Sequence, residues 1–186
     1  MKHLYTMLAL LLSTVSIKAQ MQTELPVHSI GAGPLVGYNL DSKSLAYGAG
    51  LLYEFRPFKK VGFISAFSYE RTQTDISDFN FAGPGVAPVF ADNVYDDVYS
   101  LSIGARYYMK DFYIGGTAGV GYNKIKTTLM DGRVSDGGEI YGFYKSIGAG
   151  YQFALKNKDI IEAEVGAFGM QQMKIGGTVR YKFTRF

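Results

Sequence analysis

The chain has 186 residues, 19 of them basic and 16 acidic, with neither cysteine nor tryptophan. So even a charge gives no electrostatic case for a nucleic-acid partner, and the lack of cysteine excludes disulfides and thiolate metal sites. Tyrosine (15), phenylalanine (13) and glycine (23) are abundant, yet no apolar stretch after residue 19 reaches the roughly 20 residues of a membrane-crossing helix.

In chain order, Met1-Lys2-His3 is a short basic start, residues 4–17 (LYTMLALLLSTVSI) are an apolar run, and Ala19 offers a small residue for cleavage. That is the pattern of a secretory signal. It predicts a signal peptide over residues 1–19 and one β-barrel domain over 20–186. Cleavage would remove Lys2 and Lys18 and no acid, bringing the charge closer to neutral.

The first strand is expected over 29–40, with Pro34 suggesting a bulge. In 45–56, Leu45, Tyr47, Ala49, Leu51, Tyr53 and Phe55 alternate with Gly48, Gly50 and Glu54. A period of two over such a length is a strand signal. It recurs over 61–71 and in 95–110, where Tyr99, Leu101, Ile103, Ala105, Tyr107 and Met109 oppose Ser100, Ser102, Gly104, Arg106 and Tyr108.

Residues 112–125 (FYIGGTAGVGYNKI) hold the glycine cluster GGTAGVG. A dinucleotide-binding loop needs glycines that open a helix, but here the alternation continues through Thr128. The cluster therefore reads as a strand with one nearly empty face, and GAGPLVG at 31–37 fails as a phosphate loop on the same ground. Residues 139–153, 160–170 and 173–183 complete eight strands, each long enough to cross a bilayer when tilted.

Connections at 57–60, 110–111 and 156–159 are short and polar. Those at 72–94 and 127–138 are long, and 41–44 and 171–172 fall on their side. Such asymmetry is that of an outer-membrane barrel with extracellular loops. Aromatic residues gather at the two ends of the strands, among them Tyr38, Tyr47, Tyr99, Tyr122 and Tyr141 at one end and Phe55, Phe63, Phe112, Tyr151 and Phe183 at the other. Ala, Val, Leu, Ile and Gly dominate between them, which is what two membrane interfaces select. In lipid every backbone polar group must be paired, so the sheet has to close. The expected fold is all-β: an eight-stranded antiparallel up-and-down transmembrane β-barrel. Inward glycines (Gly115, Gly119, Gly121, Gly148, Gly150) would make room for larger inward groups of other strands.

Inward positions near the periplasmic end include Glu54, Arg56, Arg106, Glu162, Glu164, Arg180 and Lys182. Buried charges must pair, so these predict an ion-pair network bridging the lumen, with Glu70 and Lys174 as a second layer. Lys145 falls in the outward register, high on its strand, where it can snorkel. A closed lumen is the structural reading, and a narrow pore for small solutes is the alternative.

Signal peptide, eight alternating strands, aromatic girdles and the terminal RYKFTRF resemble the small outer-membrane barrels of the OmpX type and the OmpA transmembrane domain. The resemblance spans residues 20–186 on pattern alone. It implies localisation in the bacterial outer membrane, contact with its lipids and lipopolysaccharide, and a role in envelope integrity, adhesion or defence. It also implies that the barrel-assembly machinery reads the last strand. In the expected register Tyr181 and Phe183 face lipid and carry that signal, with residues 184–186 as an overhang. Some such barrels modify lipids, a further alternative, but His28 alone remains beyond the signal and lies at the periplasmic end. No enzymatic activity and no cofactor are expected. Asp75, Asp78, Asp92, Asp96 and Asp97 could hold calcium, although their spacing fits no EF-hand. An extracellular ligand would bind through the loops 72–94 and 127–138.

Overall fold

The computed structural model describes residues 27–75, 80–81, 89–129 and 132–184. The expected signal peptide, Asp78 and Phe186 lie outside them. Eight long strands form the wall: β1 Val27–Asn39, β2 Ser44–Phe58, β3 Val61–Asp75, β4 Val89–Met109, β5 Phe112–Leu129, β6 Val134–Ala154, β7 Ile160–Gly169 and β8 Met173–Thr184. Each pairs antiparallel with its sequence neighbours, and β1 pairs with β8 to close the ring. A two-residue strand, Asn80–Phe81, pairs with Val89 and Phe90 of β4.

Closure fixes a stagger. The partnered residues Tyr144, Gly119, Ser102, Ala66, Leu52, Gly31, Lys182 and Ile160 circle the wall and return to β6 at Ala154, ten residues from the start. Such a shear obliges the strands to tilt, and with eight strands it leaves a bore that side chains can fill. The period-two pattern becomes two surfaces: Leu101, Ile103, Val120, Ile147 and Val165 are exposed on the outside, whereas Ser100, Ser102, Arg106 and Tyr108 are buried within. An exposed aliphatic band between aromatic rings suits lipid.

The two ends differ. At the short-turn end β2 and β3 are joined by Lys59-Lys60 and β4 and β5 by Lys110-Asp111. Lys110 takes φ 64° there, the left-handed conformation that tight two-residue hairpins require. At the opposite, tall end the strands reach into both of the predicted long connections. Residues 72–75 and 89–94 continue β3 and β4, and 127–129 and 134–138 continue β5 and β6. β4 and β6 each run 21 residues, about twice what crossing a bilayer requires. The described parts of the predicted loops therefore extend the sheet. Cross-strand pairing holds these polar segments extended, a stabilisation invisible within any one of them.

β3 to β6 thus rise as a four-stranded wall above the hairpins β1–β2 and β7–β8. Partners of β6 on the β7 side stop at Lys145, opposite Gly169. Above it Val134–Tyr144 pairs with β5 and has no described strand on its other edge.

Three further expectations are corrected. Pro34 makes no bulge, because its register with β2 is unbroken; the ladder to β8 simply skips Gly33 and Pro34, where proline has no N–H to give. Thr184 is no overhang, because it pairs with Ser29. The glycines are empty for two reasons. A Cβ at Gly115, Gly121 or Gly150 would meet the side chains of Arg106, Met170 or Tyr113, whereas at Gly119 and Gly148 it would meet backbone carbonyls of the adjacent strand.

Candidate functional site

The lumen is layered along its axis. Nearest the short-turn end β2, β4, β7 and β8 point their charges at one another. Arg106, 2% exposed, donates to Glu162 (2.8 and 3.0 Å), to Glu164 (2.6 Å) and to Glu54 (3.4 Å). Arg180 donates to Glu162 (2.9 Å) and Glu164 (3.0 Å), and Lys182 to Glu54 and, at 3.2 Å, to Glu162. Three cations therefore meet three carboxylates. Isolated, any of these charges would cost several kcal/mol, about, to bury; mutual pairing with every partner hydrogen-bonded offsets that cost.

Six of the seven predicted network residues come together. Arg56 does not join them. It forms no ion pair among the described residues; its guanidinium lies 3.9 Å from the centroid of the Tyr108 ring and donates to the Lys59 carbonyl. Arg56 keeps the inward register of Glu54, pairing with Val27 in an unbroken β1–β2 ladder, but its guanidinium ends on the Tyr108 ring and the Lys59 carbonyl at the short turn, not on a carboxylate.

Three uncharged residues complete the plug. Tyr108 donates its hydroxyl to Glu54, Tyr113 donates to Glu164 (2.7 Å), and Gln152 donates to Glu162 (3.0 Å). Both tyrosines are 1% exposed, and Arg106 lies 4.2 Å from the Tyr113 ring centroid. Their inward register was readable, but a tyrosine in that register reads as filler until its hydroxyl is seen against a carboxylate.

Above the plug is a hydroxyl waist, with Ser68–Ser100 at 2.6 Å and Thr117–Ser146 at 2.7 Å, around a cavity of about 70 Å³. Next comes a second ionic layer. Lys174 donates to Glu70 (2.9 Å), which also accepts from Tyr144 (2.8 Å), over an apolar cluster of Leu35, Tyr144 and Phe168.

Beyond this layer the lumen opens into a vestibule of about 160 Å³. It is lined by Asn39, Thr72, Asp96, Val98, Asn123, Ile125, Ile140, Met170, Gln171, Gln172 and Lys174. The Thr72 hydroxyl and the Asn123 carbonyl oxygen are buried in its wall without hydrogen-bond partners among the described residues.

The outer face carries matching rows. Tyr69, Tyr99, Tyr122 and Tyr141 are cross-strand partners, with successive ring centroids 5.1, 6.1 and 5.0 Å apart. One step toward the tall end, Arg71, Asp97, Lys124 and Glu139 are partners in the same order, alternating in charge. Arg71 grips Asp97 through two bonds (2.7 and 2.9 Å), and the Tyr69 hydroxyl donates to Asp97 at 2.9 Å. Asp97, considered for calcium, is thus already engaged. No acidic or histidine cluster of metal-binding geometry occurs among the described residues. Lys145 is exposed on the outer face, as its register requires. His28 stacks on Phe55 at 4.9 Å and bonds the Tyr53 hydroxyl at 2.8 Å, all on the outer face of the short-turn end. Tyr181 and Phe183 also face outward, and Phe183 is partnered with Ile30 across the closing seam.

No protein-family model and no curated protein matches the chain. Among solved structures it is similar to Ail, the attachment invasion locus protein of Yersinia pestis, with a TM-score of 0.55 and 20% identity over 85% of this chain and 99% of that one. A second structure of Ail, in complex with the heparin analogue sucrose octasulfate, gives 0.53 and 20% over 86% and 100%. The N-terminal β-barrel domain of Pseudomonas aeruginosa OprF gives 0.48 and 14% over 83% and 97%. The Ail structures carry the likeness, and the fold is that of the small eight-stranded outer-membrane β-barrels.

Proposed function

We propose that the chain is a bacterial outer-membrane protein whose tall sheet faces the cell exterior and docks a partner segment along the free edge of β6. One observation carries this reading: among the described residues, Val134–Tyr144 has a strand on one side only. An unpaired edge offers a ready row of backbone donors and acceptors, and extended peptides bind such edges by adding a strand. Asp136 and Glu139, both exposed on this segment, favour a partner with basic side chains. The role is one of surface interaction and not of catalysis or solute passage. The plug supports a closed lumen, and His28 lies at the end of the barrel away from the tall sheet.

Outer-membrane lipids and lipopolysaccharide would contact the aliphatic band and its aromatic rings. The barrel-assembly machinery would read Tyr181 and Phe183 on the last strand.

The test has two arms. Protease added to intact cells should cut only within 76–88 or 130–133 and spare Lys59 and Lys158; cutting at those lysines would invert the topology. In the purified barrel, the amides of 134–144 that point away from β5, about every second one, should exchange quickly and become protected when an alternating Val-Lys peptide is added. Unchanged exchange with the peptide at millimolar concentration would defeat the edge reading while leaving the topology standing.

A further inference from the structure

We infer that the vestibule at the tall end binds a single neutral sugar unit. This site lies inside the barrel, apart from the β6 edge, and makes no use of the docking proposed there.

The argument begins with hydrogen-bond accounting. Buried polar groups in folded proteins nearly always have partners, and exceptions point to something that supplies them. Here two exceptions line one concavity. Thr72 is 2% exposed, and among the described residues neither its hydroxyl nor the buried Asn123 carbonyl oxygen has a hydrogen-bond partner. Thr72 and Asn123 come from β3 and β5, on either side of Asp96 of β4, which is the cross-strand partner of Thr72. Asp96 accepts one long bond, 3.4 Å, from the Asn123 amide. The three side chains thus present a hydroxyl, an amide oxygen and a carboxylate to the same space. That set has acceptors in excess and asks for a ligand that donates more than once.

The charges narrow the ligand. Lys174 lines the vestibule, but its ammonium is bound to Glu70 at 2.9 Å, so it has no charge to spare for an anion. Asp96 then leaves the wall net negative, which disfavours sulfated, phosphorylated or carboxylated molecules.

The remaining wall is apolar. Val98, Ile125, Ile140 and Met170 line the same space. A pyranose combines the two demands, because its hydroxyls donate and accept at the edge while its C–H face covers aliphatic side chains. The rim supplies further amides: Gln172 accepts from Asn39 at 2.6 Å, and Gln171 and Gln172 are exposed at the mouth. Size sets the last limit. About 160 Å³ holds on the order of five waters at ~30 Å³ each, which matches one sugar ring within the vestibule.

One sugar unit can arrive free or as the terminal residue of a glycan. The barrel, refolded in a zwitterionic detergent without a sugar headgroup, is titrated with the methyl glycosides of glucose, galactose and mannose. Glucose 6-sulfate, n-butylammonium and the corresponding disaccharides form the comparison arms. At least one neutral glycoside should shift the methyl resonances of Met170, Ile125 and Ile140 saturably, with Kd on the order of 1 mM for so small a contact. Glucose 6-sulfate should bind more weakly. Thr72→Val and Asn123→Leu should each weaken binding about threefold to tenfold, the worth of one hydrogen bond, while Thr72→Ser retains it. Heat-modifiable migration on gels shows that each variant is folded, and Asn123→Ser replaces Asn123→Leu if the latter is not.

Binding of both mono- and disaccharides identifies a terminal glycan unit, and binding of monosaccharides alone identifies a free sugar; either supports the site. Three results would overturn it: no saturable shift with any neutral glycoside, tighter binding of n-butylammonium than of every glycoside, or wild-type affinity in the Thr72→Val and Asn123→Leu variants.

Discussion

The two ends of the lumen are built from the same inward register and solve opposite problems. At the short-turn end Glu54, Glu162 and Glu164 face Arg106, Arg180 and Lys182, and Tyr108, Tyr113 and Gln152 complete the hydrogen bonds. At the tall end, among the described residues, Thr72 and Asn123 are left with polar atoms unmatched, and β6 has no partner on one edge above Lys145. The contrast separates stability from recognition. A saturated network has nothing left with which to bind, and an unsaturated surface contributes less to holding the wall together.

The sharpest way to break that comparison is Arg106→Ala. Arg106 touches all three carboxylates of the plug, so its loss leaves buried charge uncompensated, at a cost of about 3–5 kcal/mol. The denaturant midpoint of the refolded barrel should fall accordingly, with little change when salt is raised, because the pairs are shielded from solvent. In planar bilayers the wild-type barrel should show little or no steady conductance. Large uniform steps from the wild type would replace the plug with a pore. A midpoint unchanged in Arg106→Ala would remove the distinction between the two ends.

Much of this was legible in the sequence, and the gaps have a common cause. Alternation within one strand carries the inside–outside assignment, so Lys145, Phe183 and the six paired plug residues could be placed from residue parity alone. What one strand cannot carry is register between strands. Arg71, Asp97, Lys124 and Glu139 are unremarkable in their own segments, and only cross-strand pairing aligns them as a row of alternating charge. The same omission hid the tall sheet, since residues 72–75 and 134–138 are too polar to read as strands until a neighbour pairs with them. Arg56 failed for a more local reason: parity places it inward, but parity does not say that its guanidinium ends on the Tyr108 ring and the Lys59 carbonyl instead of a carboxylate.

On the outer surface the comparison can be sharpened at the seam. Phe183 is 53% exposed to the surroundings of the barrel, is partnered with Ile30, and sits 4.8 Å from the ring of Tyr181. Phe183→Ala removes apolar surface at the position where the ring closes, a loss of up to about 1.5–3 kcal/mol if the side chain is covered by lipid. The folded, heat-modifiable fraction in the outer membrane should drop. Removing residues 185–186 should lower it less. The reverse ranking would take the assembly signal away from Phe183.

The smallest effect is expected from Arg71→Ala, and its size matters because the local geometry looks as good as that of the plug. Arg71 holds Asp97 through two bonds of 2.7 and 2.9 Å. Its side chain is nevertheless 36% exposed, whereas that of Arg106 is 2% exposed. Water and salt reach the Arg71 side of the first pair, although the Asp97 side chain is itself only 5% exposed, and neither side of the second. Arg71→Ala should therefore cost about 1 kcal/mol, the upper end for an exposed pair. Asp97 would keep the Tyr69 hydroxyl at 2.9 Å and Lys126 at 4.0 Å, which limits the penalty of leaving it behind. The deficit should shrink as salt is raised, a dependence that Arg106→Ala should not share. Measuring both variants across a salt series therefore reads burial directly. If Arg71→Ala proves as costly as Arg106→Ala and equally insensitive to salt, the charge row is screened from water, and the boundary of the membrane lies above it instead of at the tyrosine row.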